Sequence, residues 1–319
     1  MQNEKIMLSV LVTFCRQKEY VRDNIDSILN QHTSYKYEII VGIDGEDDGT
    51  IALLEEYIAK NNNIRMYKLS SDSRLLSLSR ASENRMFLLS KAVGKYFCVI
   101  DGDDFFVTEN RFDEGISFLE KHEEYIGHVC NTLVYENGSD INIDIDNYRV
   151  MDIDRNYILN NYLHTSSFIY RNIFYTDNVQ FINKWYFNDT TLTLFMISRG
   201  RACFSSKNCF AYRVGVDSIY TSQSRIRKKA MHIVGCAINR EITGLNEFYN
   251  GRIANNLLSI LHNCRKFNED TEFKKCLFYQ KIPYLYDLIA VSKKSYVEKI
   301  WVYLKLYVWC LYHKCKISK

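Results

Sequence analysis

The chain has 319 residues, of which 47% are hydrophobic and 25% charged, and a formal net charge of +3. That balance is globular and excludes a disordered or fibrous chain. So small a basic excess also argues against nucleic acid as a partner.

Ten cysteines invite a disulfide reading, but no C-x-x-C pair exists and most lie in apolar runs. Reduced, buried thiols are expected rather than a disulfide framework or a zinc site. Met1 is followed by the polar residues Gln2, Asn3, Glu4 and Lys5, which is no signal peptide. The longest apolar stretch, residues 300–312, is interrupted by Lys305. It falls short of the ~18 residues that span a bilayer.

The first third alternates strand and helix patterns. Residues 7–12 form an apolar run rich in β-formers. Residues 20–31 place Val21, Ile25, Ile28 and Leu29 on one side of a helix. A second strand follows at 37–43, then a polar turn at 44–49. A helix over 51–61 carries Leu54, Tyr57 and Ile58 as its stripe. A third strand at 64–69 and a helix at 79–92 lead to an apolar strand at 96–100. That strand runs into Asp101-Gly102-Asp103-Asp104. Apolar strands separated by helices predict an α/β fold with a mostly parallel central sheet, covered on both faces. Functional loops of such sheets lie at the carboxyl ends of the strands.

Residues 111–212 mix both patterns, with a late strand at 203–212. Beyond about residue 217 the pattern is helical, over 222–250, 252–264, 271–281 and 284–313. The expected organisation is an α/β domain over 1–216 and a helical extension over 217–319.

The acidic turn after the fourth strand carries the strongest chemical signal. Carboxylates at i and i+2 on an unwinding strand end suit a hard divalent cation, Mg²⁺ or Mn²⁺, shared with water and diphosphate. Gly102 lets the backbone approach a bulky ligand. The other acidic cluster fits a calcium loop: Asp44, Glu46, Asp48, Gly49, Ile51 and Glu55 take positions 1, 3, 5, 6, 8 and 12. A strand precedes it where an EF-hand needs a helix, so a polar turn feeding a helix is the favoured reading.

Three segments in order resemble the family-2 glycosyltransferases of GT-A fold. The first is Leu8-Ser9-Val10-Leu11-Val12-Thr13-Phe14-Cys15-Arg16 with Glu19-Tyr20-Val21 and Asp26-Ser27-Ile28-Leu29-Asn30-Gln31. The second is residues 37–50, and the third is residues 94–104, which contains the D-x-D pair. Weaker likeness to bacterial capsule and surface-polysaccharide transferases continues through His164-Thr165-Ser166-Ser167 with Arg171, then Asn188-Asp189, then Tyr212-Arg213.

The resemblance implies a metal-dependent, inverting transfer of a sugar from a nucleotide donor, UDP-linked, to a glycan or lipid-linked acceptor. In that scheme Asp44 reads the nucleobase, and Thr13 and Cys15 lie beside the nucleoside. Asp101 takes the ribose side of the D-x-D pair, Asp103 the metal, and Asp189 acts as general base. Glu19 and Arg80 belong to the donor side and His164 to the acceptor side. No covalent intermediate is needed, so no nucleophilic Ser or Cys is expected. Two departures stand out: Cys15 replaces the tyrosine that often stacks on the base, and Val214-Gly215 follow Arg213 where a histidine is common.

Plainer roles stay open for several residues. Asp189 suits a helix N-cap, with Asp152 and Asp154 as competing carboxylates. Arg80 reads equally as an exposed helix residue, Asn84 as solvated or near the donor, His164 as a core histidine and Glu19 as a first-turn acid. A nucleotidyltransferase, or a non-catalytic nucleotide-sugar or glycan binding module on the same fold, remains the competing functional reading.

Residues 293–319 hold seven Lys and one Glu, together with Trp301, Tyr303, Tyr307, Trp309 and Tyr312. Trp and Tyr mixed with Lys suit an anionic membrane surface. Packing on the body and homo-oligomer contacts are the alternatives. Removing this tail leaves residues 1–292 at a net −3. The expected setting is cytoplasmic, peripheral at the inner face of the cell membrane.

Overall fold

The computed structural model describes residues 5–45, 47–69, 77–136, 149–161, 163–177, 189–214 and 225–262. Two compact units divide the chain, Met1–Val216 and Asp217–Lys319.

In the first unit, β1 (Leu8–Phe14), β2 (Tyr37–Ile43), β3 (Ile64–Lys68) and β4 (Tyr96–Asp101) pair in parallel. The helices between them are α1 (Val21–Leu29), α2 (Thr50–Ile58) and α3 (Ser77–Lys91). The chain then adds β5 (Phe105–Phe106), α4 (Arg111–Lys121), β6 (Tyr125–Glu136), β7 (Val150–Ile153) and α5 (Arg155–Asn160). A 3-10 turn at Thr165–Ser167 precedes β8 (Phe168–Arg171), α6 (Ile173–Thr176), α7 (Asp189–Ile197) and β9 (Arg201–Val214). The sheet order is β3-β2-β1-β4-β8-β6-β9-β5, with β7 also on β9. The α/β class and the helix-flanked central sheet are as expected. The parallel pattern holds for β3 to β4, whereas β8 joins its neighbours antiparallel and β6 runs parallel to β9.

Strand alternation divides the sheet into a dry face and a working face. Leu8, Val10, Val12 and Phe14 of β1 pack with Ile39, Val41 and Ile43 of β2 and with Tyr96, Cys98 and Ile100 of β4. Val21, Ile25 and Ile28 of α1 and Leu54 of α2 close this core. The opposite face of β1 presents Ser9, Leu11 and Thr13. At its amino end Ser9 Oγ donates to Glu38 Oε1 at 2.6 Å and accepts the Gly94 N–H at 2.9 Å. Glu38 also takes the Val93 N–H at 3.0 Å and pairs with Arg65. A Cβ on Gly94 would meet the Ser9 backbone nitrogen at 2.7 Å, so only glycine fits this crossing.

The six described cysteines are free; five are buried and Cys15 is exposed. In the second unit, α8 (Arg225–Thr243) and α9 (Asn246–His262) follow one another. The continuous helix expected over 222–250 is broken here. Gly244 takes φ +69, the left-handed conformation that ends α8, and its N–H caps back onto the Arg240 carbonyl. The helices expected over 271–281 and 284–313, and the basic tail at 293–319, lie outside the described residues. Among the described residues no helix is long and apolar enough to cross a membrane.

Glu38 ties three strands and the α3–β4 connection at one buried point. Glu38→Ala leaves Ser9, Val93 and Arg65 without their acceptor. We expect a loss of about 3 kcal/mol, read as a lower urea midpoint with unchanged m-value.

Candidate active site

The parallel register fixes which strand ends stand together. Thr13 pairs with Gly42 on one side and Asp101 on the other. The Thr13 carbonyl accepts the Gly102 N–H at 3.0 Å, and the Phe14 carbonyl accepts the Asp44 N–H at 2.8 Å. Thr13, Asp44 and the Asp101–Asp104 turn therefore share the carboxyl edge of the parallel strands. Gly102 has no room for a side chain, since a Cβ would sit 2.3 Å from the Phe14 ring.

Each carboxylate of the turn meets a different partner. Asp101 Oδ1 accepts from Arg85 Nη2 of α3 at 2.6 Å. Burial pushes the Asp101 carboxyl up, but the Arg85 charge, His164 and the Arg85 hydrogen bond outweigh it and hold it below the usual range. Asp104 is buried and folds back, its N–H on the Asp101 carbonyl at 3.1 Å. Its Oδ1 accepts the Arg213 backbone N–H at 3.0 Å. Arg213 adds Nε to the Asp103 carbonyl at 2.9 Å and Nη2 to Asp23 at 2.8 Å. From α1, Asn24 Nδ2 donates to the Asp101 carbonyl at 3.1 Å and the Asp104 carbonyl at 2.8 Å.

Asp103 is held differently. Burial and the neighbouring Asp101 charge push its carboxyl up to about 6, and contacts with Gln17 and Arg213 offset only part of that. Its ionised form is disfavoured by burial and by Asp101, a cost that nearby positive charge would relieve.

His164 is buried and caps the 3-10 turn, its Nδ1 accepting the Ser166 N–H at 3.4 Å. The ring lies against Phe210 and Tyr212. Nε2 faces Asp104 Oδ2 at 4.0 Å. Donor atoms of Asp101, Asp104 and His164 all lie within 4.8 Å of one another. Two hard oxygens and one imidazole nitrogen fit a divalent first-row cation, with Mn²⁺ accepting the nitrogen more readily than Mg²⁺. With Nδ1 accepting from Ser166, the ring proton sits on Nε2, so this hydrogen bond must yield before Nε2 can bind an ion.

The structure thus gathers Asp101 and His164 with Asp104, which the sequence showed but to which no role was given. Asp103, the residue expected to hold the metal, is not among these three. Asp44 is buried at the β2 end. Cys15 is exposed, and its N–H bonds Gln17 Oε1 at 3.2 Å. Glu19 sits in a 3-10 turn at Lys18–Tyr20 and lines an open groove of about 560 Å³ with Arg16, Lys18, Arg22, Asp48 and Leu53. Arg80 lies within α3 and Asp189 is the first residue of α7; the side chains of both lie outside the described residues. The calcium-like loop spends its carboxylates on backbone groups. Asp47 Oδ1 accepts the Gly49 and Ile51 N–H groups. Asp48 accepts from Thr50 and from the Lys18 N–H.

Arg85, Arg213 and Asn24 were not foreseen as partners of the turn. Arg213 stood out only as part of the Tyr212-Arg213 likeness, whereas Asn24 left a trace in the pattern itself: it lies three residues after Val21 on the buried stripe of α1, a polar residue where an apolar one belongs.

Comparison with known proteins follows this geometry. TuaG of Bacillus subtilis, a glycosyltransferase named for teichuronic acid biosynthesis, is 22% identical over 234 residues, 73% of this chain and 89% of its own. The uncharacterized protein Rv1520 of Mycobacterium tuberculosis is 25% identical over 169 residues, 51% of this chain. That match spans 46% of the mycobacterial protein, less than half its length. Among solved structures, S. aureus TarS 1-349 in complex with UDP-GlcNAc superimposes with TM-score 0.61 at 17% identity, covering 89% of this chain and 81% of that one. The mannosyltransferase PcManGT from Pyrobaculum calidifontis, in complex with GDP-Man and Mn²⁺, gives 0.52 at 12% identity, covering 94% and 88%. The fold is that of these GT-A enzymes. The profile of glycosyl transferase family 2 matches residues 9–190, and the chain belongs to that family.

Proposed function

We propose that the chain is a metal-dependent, inverting glycosyltransferase. It moves a sugar from a UDP-linked donor to a glycan or lipid-linked acceptor in surface-polysaccharide synthesis. The observation that carries this reading is the convergence of Asp101, Asp104 and His164 at the end of β4, in a chain of family 2. TuaG and TarS support the direction: one is named for teichuronic acid synthesis and the other was solved with UDP-GlcNAc.

A Mn²⁺ or Mg²⁺ ion held at this acidic turn supplies neutralisation of the charge that develops on the departing diphosphate. The protein's own part is positioning. Arg85 keeps Asp101 ionised and fixed in place. Arg213 and Asn24 hold the turn through its own carbonyls, which fixes its backbone. Asp103, beside Asp101, would add a further carboxylate to the ion's shell, and a bound cation would relieve the repulsion between the two. Asp189, at the start of α7, takes the proton of the acceptor hydroxyl as it attacks the anomeric carbon from the face opposite the leaving group. One displacement inverts the configuration.

Transfer should be detectable with UDP-sugars and Mn²⁺, lost with a chelator and restored by added metal. Transfer without metal would exclude the metal role. Asp189→Asn should retain donor binding and lose at least about 10²-fold in kcat; near-normal turnover would move the base elsewhere.

Asp103 gives a prediction of opposite sign for stability. Its carboxyl titrates near 6 in the folded chain and near 4 when unfolded. The folded state therefore binds the extra proton, and stability falls as pH rises through that window. In metal-free buffer at pH 7.5, Asp103→Asn should raise stability by about 2 kcal/mol. The gain should vanish near pH 4, while metal-dependent donor binding is lost at every pH. Thermal melts across pH 4–8 check it.

The basic aromatic tail supports a peripheral membrane setting. Deleting residues 293–319 should abolish cosedimentation with anionic vesicles and spare transfer to a soluble acceptor; equal cosedimentation would refute the anchor.

A further inference from the structure

Among the buried polar atoms of the described residues that have no hydrogen-bond partner are Asn84 Nδ2 on α3 and Thr13 Oγ1 at the end of β1. Asn84 is 2% exposed. An orphaned buried donor is costly and uncommon, and it calls for a reason.

Their placement supplies one. Thr13 projects from the working face of β1, opposite the core-facing Val12 and Phe14. Helix α3 covers that face. Leu69 and, from α3, Leu88 crowd Gly42, where a Cβ would lie 2.4 Å from Leu69 Cδ1 and 3.0 Å from Leu88 Cδ1. Arg85 of α3 reaches Asp101. The helix connects two parallel strands of one sheet, so it runs back against them. Asn84 precedes Leu88 by four residues, about 6 Å of helix. Asp44 follows Gly42 by two residues, about 6.6 Å of strand. Asn84 is therefore level with Asp44 and with the carboxyl end of β1. Helix and strand geometry thus put an amide donor, a hydroxyl and a carboxylate at one level, where α3 covers the strand ends.

We propose that Asn84 is a specificity-determining residue for the donor's nucleobase. Its Nδ2–H₂ donates to a ring carbonyl, while Asp44 accepts the adjacent ring N–H and Thr13 Oγ1 takes a further polar atom of the nucleoside. The inference rests on the nucleotide-sugar reading proposed above. A donor beside an acceptor selects a base with a carbonyl next to a protonated ring nitrogen. Uracil has that edge at O4 and N3, and guanine at O6 and N1. Cytosine and adenine present the reverse, an amino group beside an unprotonated nitrogen. Mispaired groups in a buried site exclude a ligand more strongly than missing contacts do.

The test is calorimetric binding of UDP, GDP, CDP and ADP to the full chain with Mn²⁺. We expect UDP or GDP to bind at least about tenfold tighter than CDP and ADP; which of the two prevails names the base. Asn84→Leu, close in shape, should weaken the preferred diphosphate about tenfold, leave CDP unchanged and not lower the melting temperature. Asn84→Asp, which turns the donor into an acceptor, should weaken it further. A measurement on the unaltered protein complements these: the 4-thio analogue of UDP or the 6-thio analogue of GDP, a poorer acceptor, should also bind more weakly. Equal affinity of Asn84→Leu and wild type for the preferred diphosphate would overturn the assignment and leave the donor reading intact. So would equal binding of UDP, GDP and CDP. Absence of binding by every nucleoside diphosphate would overturn both.

Discussion

Three carboxylates in four residues repel one another, and at the end of a buried strand they do so with little water to screen them. The first unit is organised around tolerating that repulsion at the Asp101–Asp104 turn. Arg85 comes from the helix before β4, Asn24 from α1, and Arg213 from the last strand. The three contacts span 16, 77 and 109 residues of sequence. Each does a different job. Arg85 stabilises the Asp101 charge, Asn24 satisfies carbonyls without adding charge, and Arg213 uses backbone and side chain to fix Asp104 and Asp103 together. Asp103 receives less relief than Asp101, and its carboxyl is pushed up to about 6. The arrangement is incomplete as a neutral cluster and complete as one shared with a cation.

Arg213 shows how this constraint reaches through the fold. Its guanidinium lies over Tyr20, Phe105 and Tyr135, at 4.7, 5.1 and 5.0 Å from the ring centres. Aromatic faces stabilise a nearly buried cation without neutralising it, so its charge stays available to the acidic turn. The same strand carries Phe210 and Tyr212, which support His164. β9 is thus the back wall of the site, although it lies outside the segments whose motifs are plain in the sequence.

The legible parts of the sequence were those set by local pattern. β2 spans residues 37–43 as predicted, because an apolar run bounded by polar residues has one way to be buried in a parallel sheet. The acidic turn was legible because carboxylates after such a run are unusual. What stayed hidden depends on distant partners. No spacing rule connects Arg85 to Asp101 or Arg213 to Asp104. The D-x-D pattern drew attention to Asp103 through its i, i+2 spacing. Next to it the chain folds Asp104 inward beside His164, because the Arg213 N–H and the Asp101 carbonyl capture it. Asn24 shows the converse: a polar residue on an apolar helical stripe is a readable anomaly. The break at Gly244 was missed because a lone glycine inside a helical pattern is more often tolerated than used as a stop.

The two ends of the working face differ in how their polar groups are satisfied, and that difference separates scaffold from site. At the amino end, Ser9, Glu38, Val93, Gly94 and Arg65 close on one another. Nothing there is left to offer a ligand, and Gly94 leaves no space for one. At the carboxyl end, Thr13 Oγ1 and Asn84 Nδ2 stand buried without partners. Both ends lie under the same helix and belong to the same strands, so packing alone does not explain the contrast. A chain selected only for stability would pair these groups or replace them with apolar ones, since each orphan detracts from a margin of only about 5–15 kcal/mol. Keeping them polar and unpaired is reasonable where a ligand completes them, and the carboxyl edge of parallel strands is where ligands of α/β sheets bind.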